Sequence, residues 1–128
     1  MPERYPGYDV MAKRDTPSWN DATRQALDAR LAIPDSPEFL GTEEWQTLRA
    51  ICDRIVPQPR HRVVPVAALV DRKLAEDRRD GYRDVRLPPL REAWRRGLAA
   101  LEAAARARAS APFHALMASA QDVLLRDM

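Results

Sequence analysis

The sequence predicts an all-α protein, an irregular or orthogonal bundle of five to six helices preceded by an extended N-terminal arm. Apolar residues recur at spacings of three and four along several segments, as they do on one face of a helix. No segment alternates apolar and polar residues for long enough to form a strand. Eleven prolines among 128 residues interrupt the connections, which disfavours a regular up-and-down bundle. An apolar content of 45% and a charged content of 31% are typical of a folded globular chain.

The N-terminal end lacks any helical or strand period. We therefore expect residues 1–17 to form an irregular arm and residues 18–128 to form a single helical domain. Apolar side chains in an irregular segment gain free energy only when another surface covers them. The arm should therefore lie along a partner or along its own bundle. The candidate interface residues at this end of the chain are Tyr5, Tyr8, Met11 and Trp19.

The first helix is predicted over about residues 20–32. Ser18 or Asn20 can cap it, because either side chain can accept a hydrogen bond from the free amides of the first turn. Pro34 and Pro37 follow its end, and the segment from Ile33 to Gly41 reads as a linker in which Phe39 is an anchor.

The second helix has the clearest pattern. Thr42 is the predicted N-cap, and Glu43 and Glu44 lie in the first turn, where the helix dipole favours negative charge. Pro57 ends the helix, since the residue before a proline disfavours the α region. Its apolar face consists of Trp45, Leu48, Ile51, Cys52, Ile55 and Val56. Trp45 should be a core or interface anchor.

The third helix is predicted from Pro65 to about residue 79, where Gly81 would break it. Its expected buried face is Val66, Leu69, Val70 and Leu74.

The fourth helix should open at Pro88 and Pro89 and continue to about residue 108. Gly97 inside it suggests a close approach between helices. Its expected apolar stripe is Leu90, Ala93, Trp94, Leu98, Leu101 and Ala105. Ser110 should cap a short fifth helix, and Ser119 a last one.

The sequence shows no recognisable catalytic, phosphate-binding or metal-binding motif. No Gly-x-Ser-x-Gly turn, phosphate-binding glycine loop or zinc-type cysteine spacing occurs, and two histidines with one cysteine are too few for a dedicated metal site. Cys52 lies on an apolar helix face and reads as a core residue. An enzyme that uses Cys52, His61 or His114 is therefore the weakest functional alternative.

Nucleic acid is not an expected partner either. Acidic and basic residues are interleaved, and the formal net charge is only +2, so no one-sided basic stripe follows a phosphate backbone. Trp94 shares its helix with Arg91 and Arg95 but should point inward, which leaves these arginines as candidate interface residues. No apolar run of about 18 residues or secretion signal occurs. We expect a cytoplasmic protein without membrane insertion.

Three blocks in order resemble one family. The stretch from Phe39 to Pro57, which includes Asp53-Arg54-Ile55-Val56-Pro57, resembles the N-terminal signature of the gluconate 2-dehydrogenase subunit 3 family. The helix from Val66 to Leu74 is similar to the family's next helix, and Gln121 to Leu125 to its last one. The resemblance covers roughly residues 38–128.

The resemblance implies a role without redox chemistry in this chain. Family members are small subunits of dehydrogenases whose large subunit, of the glucose–methanol–choline type, holds FAD and oxidises sugars or polyols. The implied function is a non-catalytic accessory subunit that binds, stabilises or helps mature that large subunit, with no cofactor of its own. Many relatives begin with a twin-arginine export signal, which this sequence does not show. The alternative is a stand-alone helical binding or regulatory module without a redox partner.

Overall fold

The computed structural model describes residues 5–59, 64–79 and 81–128. It confirms the all-α class, with five α-helices and no strand in these ranges. The helices are α1 (Asp21–Leu31), α2 (Thr42–Ile55), α3 (Val66–Ala75), α4 (Leu90–Ala109) and α5 (Ala118–Arg126), and two short 3-10 helices cover Met11–Lys13 and Phe113–Ala115. The chain divides into two compact units, Met1–Ala32 and Ile33–Met128. They are called the N-terminal and C-terminal units below.

The N-terminal unit is built around α1. Asn20 caps this helix as expected, since its side chain accepts from the Thr23 amide at 2.8 Å. Arg14 forms a two-point ion pair with Asp28, with nitrogen–oxygen distances of 2.6 and 2.7 Å, and the Arg24 side chain donates to the Arg14 carbonyl. None of the described side chains of this unit is buried.

The C-terminal unit is organised around α2, which packs against α3, α4, α5 and the second 3-10 helix. Its buried apolar residues form two clusters. The first is Leu40, Trp45, Leu48, Ala67, Ala68 and Leu98, and the second is Leu101, Ala105, Phe113 and Leu124. Ile51 on α2 packs against both clusters, so the central helix joins them into a continuous apolar interior.

Phe113 shows how the second cluster is closed. Its side chain is completely buried, and both of its backbone polar groups are satisfied by side chains from the neighbouring helices. The Glu102 carboxylate accepts from the Phe113 amide at 3.1 Å, and the Gln121 amide donates to the Phe113 carbonyl at 2.9 Å. Buried backbone groups need such partners. Gln121 is therefore buried on α5 as a hydrogen-bonding group.

Several predicted helix boundaries were wrong. Gly41, and not Thr42, is the N-cap of α2, and the Glu44 carboxylate accepts from the Gly41 amide at 2.9 Å. Helix α3 ends at Ala75 and not near residue 79, because Asp77 adopts a left-handed φ of 50° and turns the chain before Gly81. The buried side of α3 is rotated from the predicted face and consists of Ala67, Ala68, Asp71 and Leu74.

The end of α4 also differs from the prediction. Ser110 is its left-handed C-cap, with φ 53°, and does not cap a following helix. The expected fifth helix is only the 3-10 turn at Phe113, and Ser119 lies inside the first turn of α5, for which Met117 is the N-cap. Serine favours both caps and turns, so sequence alone does not distinguish which helix end it serves.

Candidate partner-binding surface

An apolar groove runs along α4 where it faces α2 and α5. We call it the α4–α5 groove. It has a volume of about 310 Å³, and among the described residues that line it, Arg83 alone has a charged side chain. The lining residues are Ile51, Arg83, Leu90, Ala93, Trp94, Gly97, Leu98, Leu101, Leu125 and Met128. The apolar stripe predicted for α4 is thus only partly covered by its own fold.

Gly97 explains part of the concavity. It is exposed on α4, and an added Cβ there would meet no atom within 4 Å. The predicted close helix–helix approach at Gly97 was therefore wrong. The missing side chain instead leaves open space beside Trp94 and Leu98.

The loop that leads into α4 extends the apolar surface. In loop 81–89, Tyr82 is 95% exposed and Val85 is 93% exposed. An exposed apolar side chain that adjoins a groove extends its apolar surface, and Val85 does so because it lines a neighbouring hollow. Loop 81–89 also borders a second hollow of about 360 Å³, which shares Arg83 and Leu90 with the α4–α5 groove.

Three of the residues singled out from the sequence lie together on another face. The Arg95 guanidinium lies 4.4 Å from the centre of the Phe39 ring, and that of Arg91 lies 5.2 Å from it. Arg91 also donates to the carbonyls of Leu74 and Ala75 at the end of α3, where a cation is favoured by the helix dipole. This Phe39–arginine cluster connects the linker before α2 to α3 and α4.

The remaining residues singled out from the sequence are separated. Trp45 is 7% exposed and belongs to the first core cluster. In the N-terminal unit, Tyr5, Tyr8 and Met11 are exposed and Trp19 is half-buried, with the Lys13 ammonium 4.9 Å from the centre of the Tyr8 ring.

Asp71 on α3, to which no role was predicted, is a completely buried acidic residue. Its carboxylate is 0% exposed and accepts from three consecutive backbone amides, those of residues 38–40, at 2.5 to 3.1 Å. This arrangement holds the linker that carries Phe39 against α3. The sequence spacing could have indicated that Asp71 is buried, because it lies four residues after Ala67 and three before Leu74, on the same face of the helix.

The cysteine and the histidines were the candidate catalytic groups. Cys52 is half-buried and packs against the first core cluster. His114 is exposed beside a shallow hollow next to Asp53, and His61 lies outside the described residues. Across residues 5–59, 64–79 and 81–128, no three His, Cys, Asp or Glu side chains are grouped to hold a metal ion.

One ion pair links the central helix to the last one. Arg54 on α2 donates to both oxygens of Asp122 on α5, at 2.7 and 2.8 Å. This side-chain hydrogen bonding holds the pKa of Asp122 below its ordinary value of 3.8 and raises the pKa of Arg54. Asp122 lies close in sequence to the buried Leu124 and to Leu125, which lines the groove. The ion pair therefore holds this part of α5 beside the groove.

These features define a small all-α protein with one central helix and an uncovered apolar groove. The chain belongs to the gluconate 2-dehydrogenase subunit 3 family, whose model matches residues 42–128, from the first residue of α2 to the last residue of the chain. No curated protein and no solved structure gives a significant match. Among the described residues, no helix has both the length and the apolarity needed to cross a bilayer.

Proposed function

We propose that this chain is a non-catalytic accessory subunit that binds, stabilises or helps mature the large subunit of a FAD-dependent sugar or alcohol dehydrogenase. The large subunit is expected to be of the glucose–methanol–choline type and to hold the FAD. The observation that carries the proposal is the family match, which spans all of α2 to α5.

The surface of the chain supports a function that depends on binding another protein. The α4–α5 groove leaves apolar side chains of α4 uncovered, and loop 81–89 holds Tyr82 and Val85 in water. Covering such a surface with another protein removes apolar area from water, which stabilises a complex. The sequence contains neither a nucleotide-binding glycine loop nor a recognisable nucleophile motif. We therefore assign the redox chemistry of the complex to the partner.

The test is co-expression with a glucose–methanol–choline type dehydrogenase large subunit from the same genome, followed by affinity purification on a tag carried by this chain. The two chains should elute together with a flavin absorbance spectrum, and the chain purified alone should be colourless. The large subunit expressed without this chain should give less soluble, flavin-loaded protein. A flavin, haem or stoichiometric metal bound to the isolated chain would refute the non-catalytic role.

A further inference from the structure

We propose that the α4–α5 groove and loop 81–89 form one docking surface for an apolar segment of a partner protein that carries an acidic residue. Large apolar side chains of that segment fill the space beside Gly97, and its carboxylate pairs with Arg83. The inference rests on the proposed function in one respect, since the dehydrogenase large subunit is the partner that supplies the segment.

The α4–α5 groove and loop 81–89 form a continuous surface. Trp94, Leu98 and Leu101 line the groove from α4, while Leu125 and Met128 line it from the C-terminal end of the chain. Loop 81–89 joins this groove at Arg83 and Leu90 and carries the two most exposed apolar residues nearby. A segment that lies in the groove and contacts the loop would cover both at once, whereas each alone is a small patch.

Charge indicates what kind of segment fits. Residues 81–98 contain five arginines and two acidic residues, Asp84 and Glu92. Four of these arginines lie within ion-pair distance of a carboxylate, namely Arg86 of Asp84, Arg91 of Asp77, Arg95 of Glu44 and Arg96 of Glu92.

Arg83 differs from those arginines. Its guanidinium donates to the Pro88 carbonyl at 2.7 Å, and it pairs with no acidic side chain among the described residues. A half-buried cation at the mouth of an apolar groove attracts an anion more strongly than a fully solvated one, because water screens the interaction less. The occupant is therefore expected to place a carboxylate there.

The shape of the surface favours a protein over other occupants. A groove of about 310 Å³ is filled by protruding side chains, whereas a bilayer presents no convex feature to enter it. In a symmetric contact a second copy of this chain would bring its own Arg83 to the interface, and the described groove lining offers no carboxylate side chain to pair with it. Recognition of an apolar helix or extended segment by a groove is a recurrent binding mode.

Gly97 allows a test in which binding and folding respond in opposite directions. Gly97→Phe should fill the groove from within, and it should not lower the Tm, since the Cβ position is open and glycine disfavours the helix interior. We expect it to weaken the complex with the large subunit by at least about tenfold, as loss of a central contact does.

Gly97→Ala is the control for helix propensity, and Ala99→Phe is the control for an added ring. Ala99 is exposed on α4 and does not line the groove. Both controls should bind within about twofold of wild type.

The charge is tested by Arg83→Gln, with Arg86→Gln as the matched control because Arg86 is highly exposed and already paired with Asp84. Arg83→Gln should weaken the complex by about three- to fivefold and reduce the dependence of its affinity on salt. Arg86→Gln should leave both nearly unchanged.

The outcomes separate this inference from the proposed function. If wild type binds the large subunit and Gly97→Phe binds equally well, the docking surface is wrong while the accessory role stands. If wild type does not bind, both fail. Two further assays test the other occupants, namely flotation with vesicles of equal parts phosphatidylcholine and phosphatidylglycerol, and sedimentation to detect self-association. The inference would be overturned if the chain bound vesicles or itself, and if Tyr82→Ser abolished that vesicle binding or self-association without affecting the large-subunit complex.

Discussion

The N-terminal and C-terminal units use similar apolar residues in different ways. Each contains tryptophan, leucine and methionine, yet no described side chain of the N-terminal unit is buried, whereas the C-terminal unit buries two joined clusters around α2. The N-terminal unit is held by exposed ion pairs such as Arg14–Asp28, which typically stabilise a fold little. The family match begins at residue 42 and so covers only the unit that has a core. The part of the chain that matches the family is therefore the part that has a buried core.

A matched pair of tryptophan substitutions gives the largest expected contrast between the units. Trp45→Ala should lower the free energy of unfolding by about 3–5 kcal/mol, because it removes a buried ring from the first core cluster. Trp19→Ala, in a unit without buried side chains, should cost less than about 1 kcal/mol. Urea unfolding followed by circular dichroism measures both. Equal losses would show that the N-terminal unit has a core of comparable strength.

Asp71 provides an intermediate effect within the C-terminal unit. Asp71→Ala should destabilise the chain by roughly 3 kcal/mol, because three backbone amides in the linker at residues 38–40 lose their buried acceptor. Asp28→Ala, which removes an exposed carboxylate in the N-terminal unit, should change the free energy of unfolding much less. A small loss for Asp71→Ala would mean that the linker finds other hydrogen-bond partners or water.

The smallest expected effect on stability comes from deleting residues 1–17. Because this segment contributes no described buried side chain, the unfolding midpoint of α2 to α5 should stay nearly constant. Helix α1 has 11 residues and loses its Arg14 contacts in the deletion, so a small decrease in helical circular dichroism is expected.

The same deletion should weaken the complex with the large subunit, since the exposed Tyr5, Tyr8 and Met11 would no longer be available to order against it. Calorimetric titration of the full-length and the truncated chain into the large subunit measures this change. Unfolding of the whole truncated chain would place the segment in the core, and unchanged affinity would remove it from the interface.

The helical class and the central helix follow from the sequence alone. In α2, apolar residues at spacings of three and four define one face, and Trp45 and Leu48 of that face are buried as expected. The prediction was wrong for Ile55 and Val56, which are exposed because the helix ends there. Helix periodicity is set by local geometry, so a single segment contains enough information to reveal it. The order of three similar blocks also sufficed to identify the family, which the match over residues 42–128 confirms.

The features that shape the binding surface were decided by the tertiary structure. Asp71 accepts from amides more than 30 residues earlier in the chain, and the openness of Gly97 depends on which helices pack nearby and which do not. Neither property has a local periodicity. Apolar residues on α4 look the same in sequence whether they are buried or line a groove, since the same spacing serves both. The positions of α2 and α5 leave the half-buried Trp94 beside open space, while Ala105 on the same stripe is completely buried. The sequence determined which helices form and which faces are apolar, and the packing of distant segments determined which part of those faces remains available to a partner.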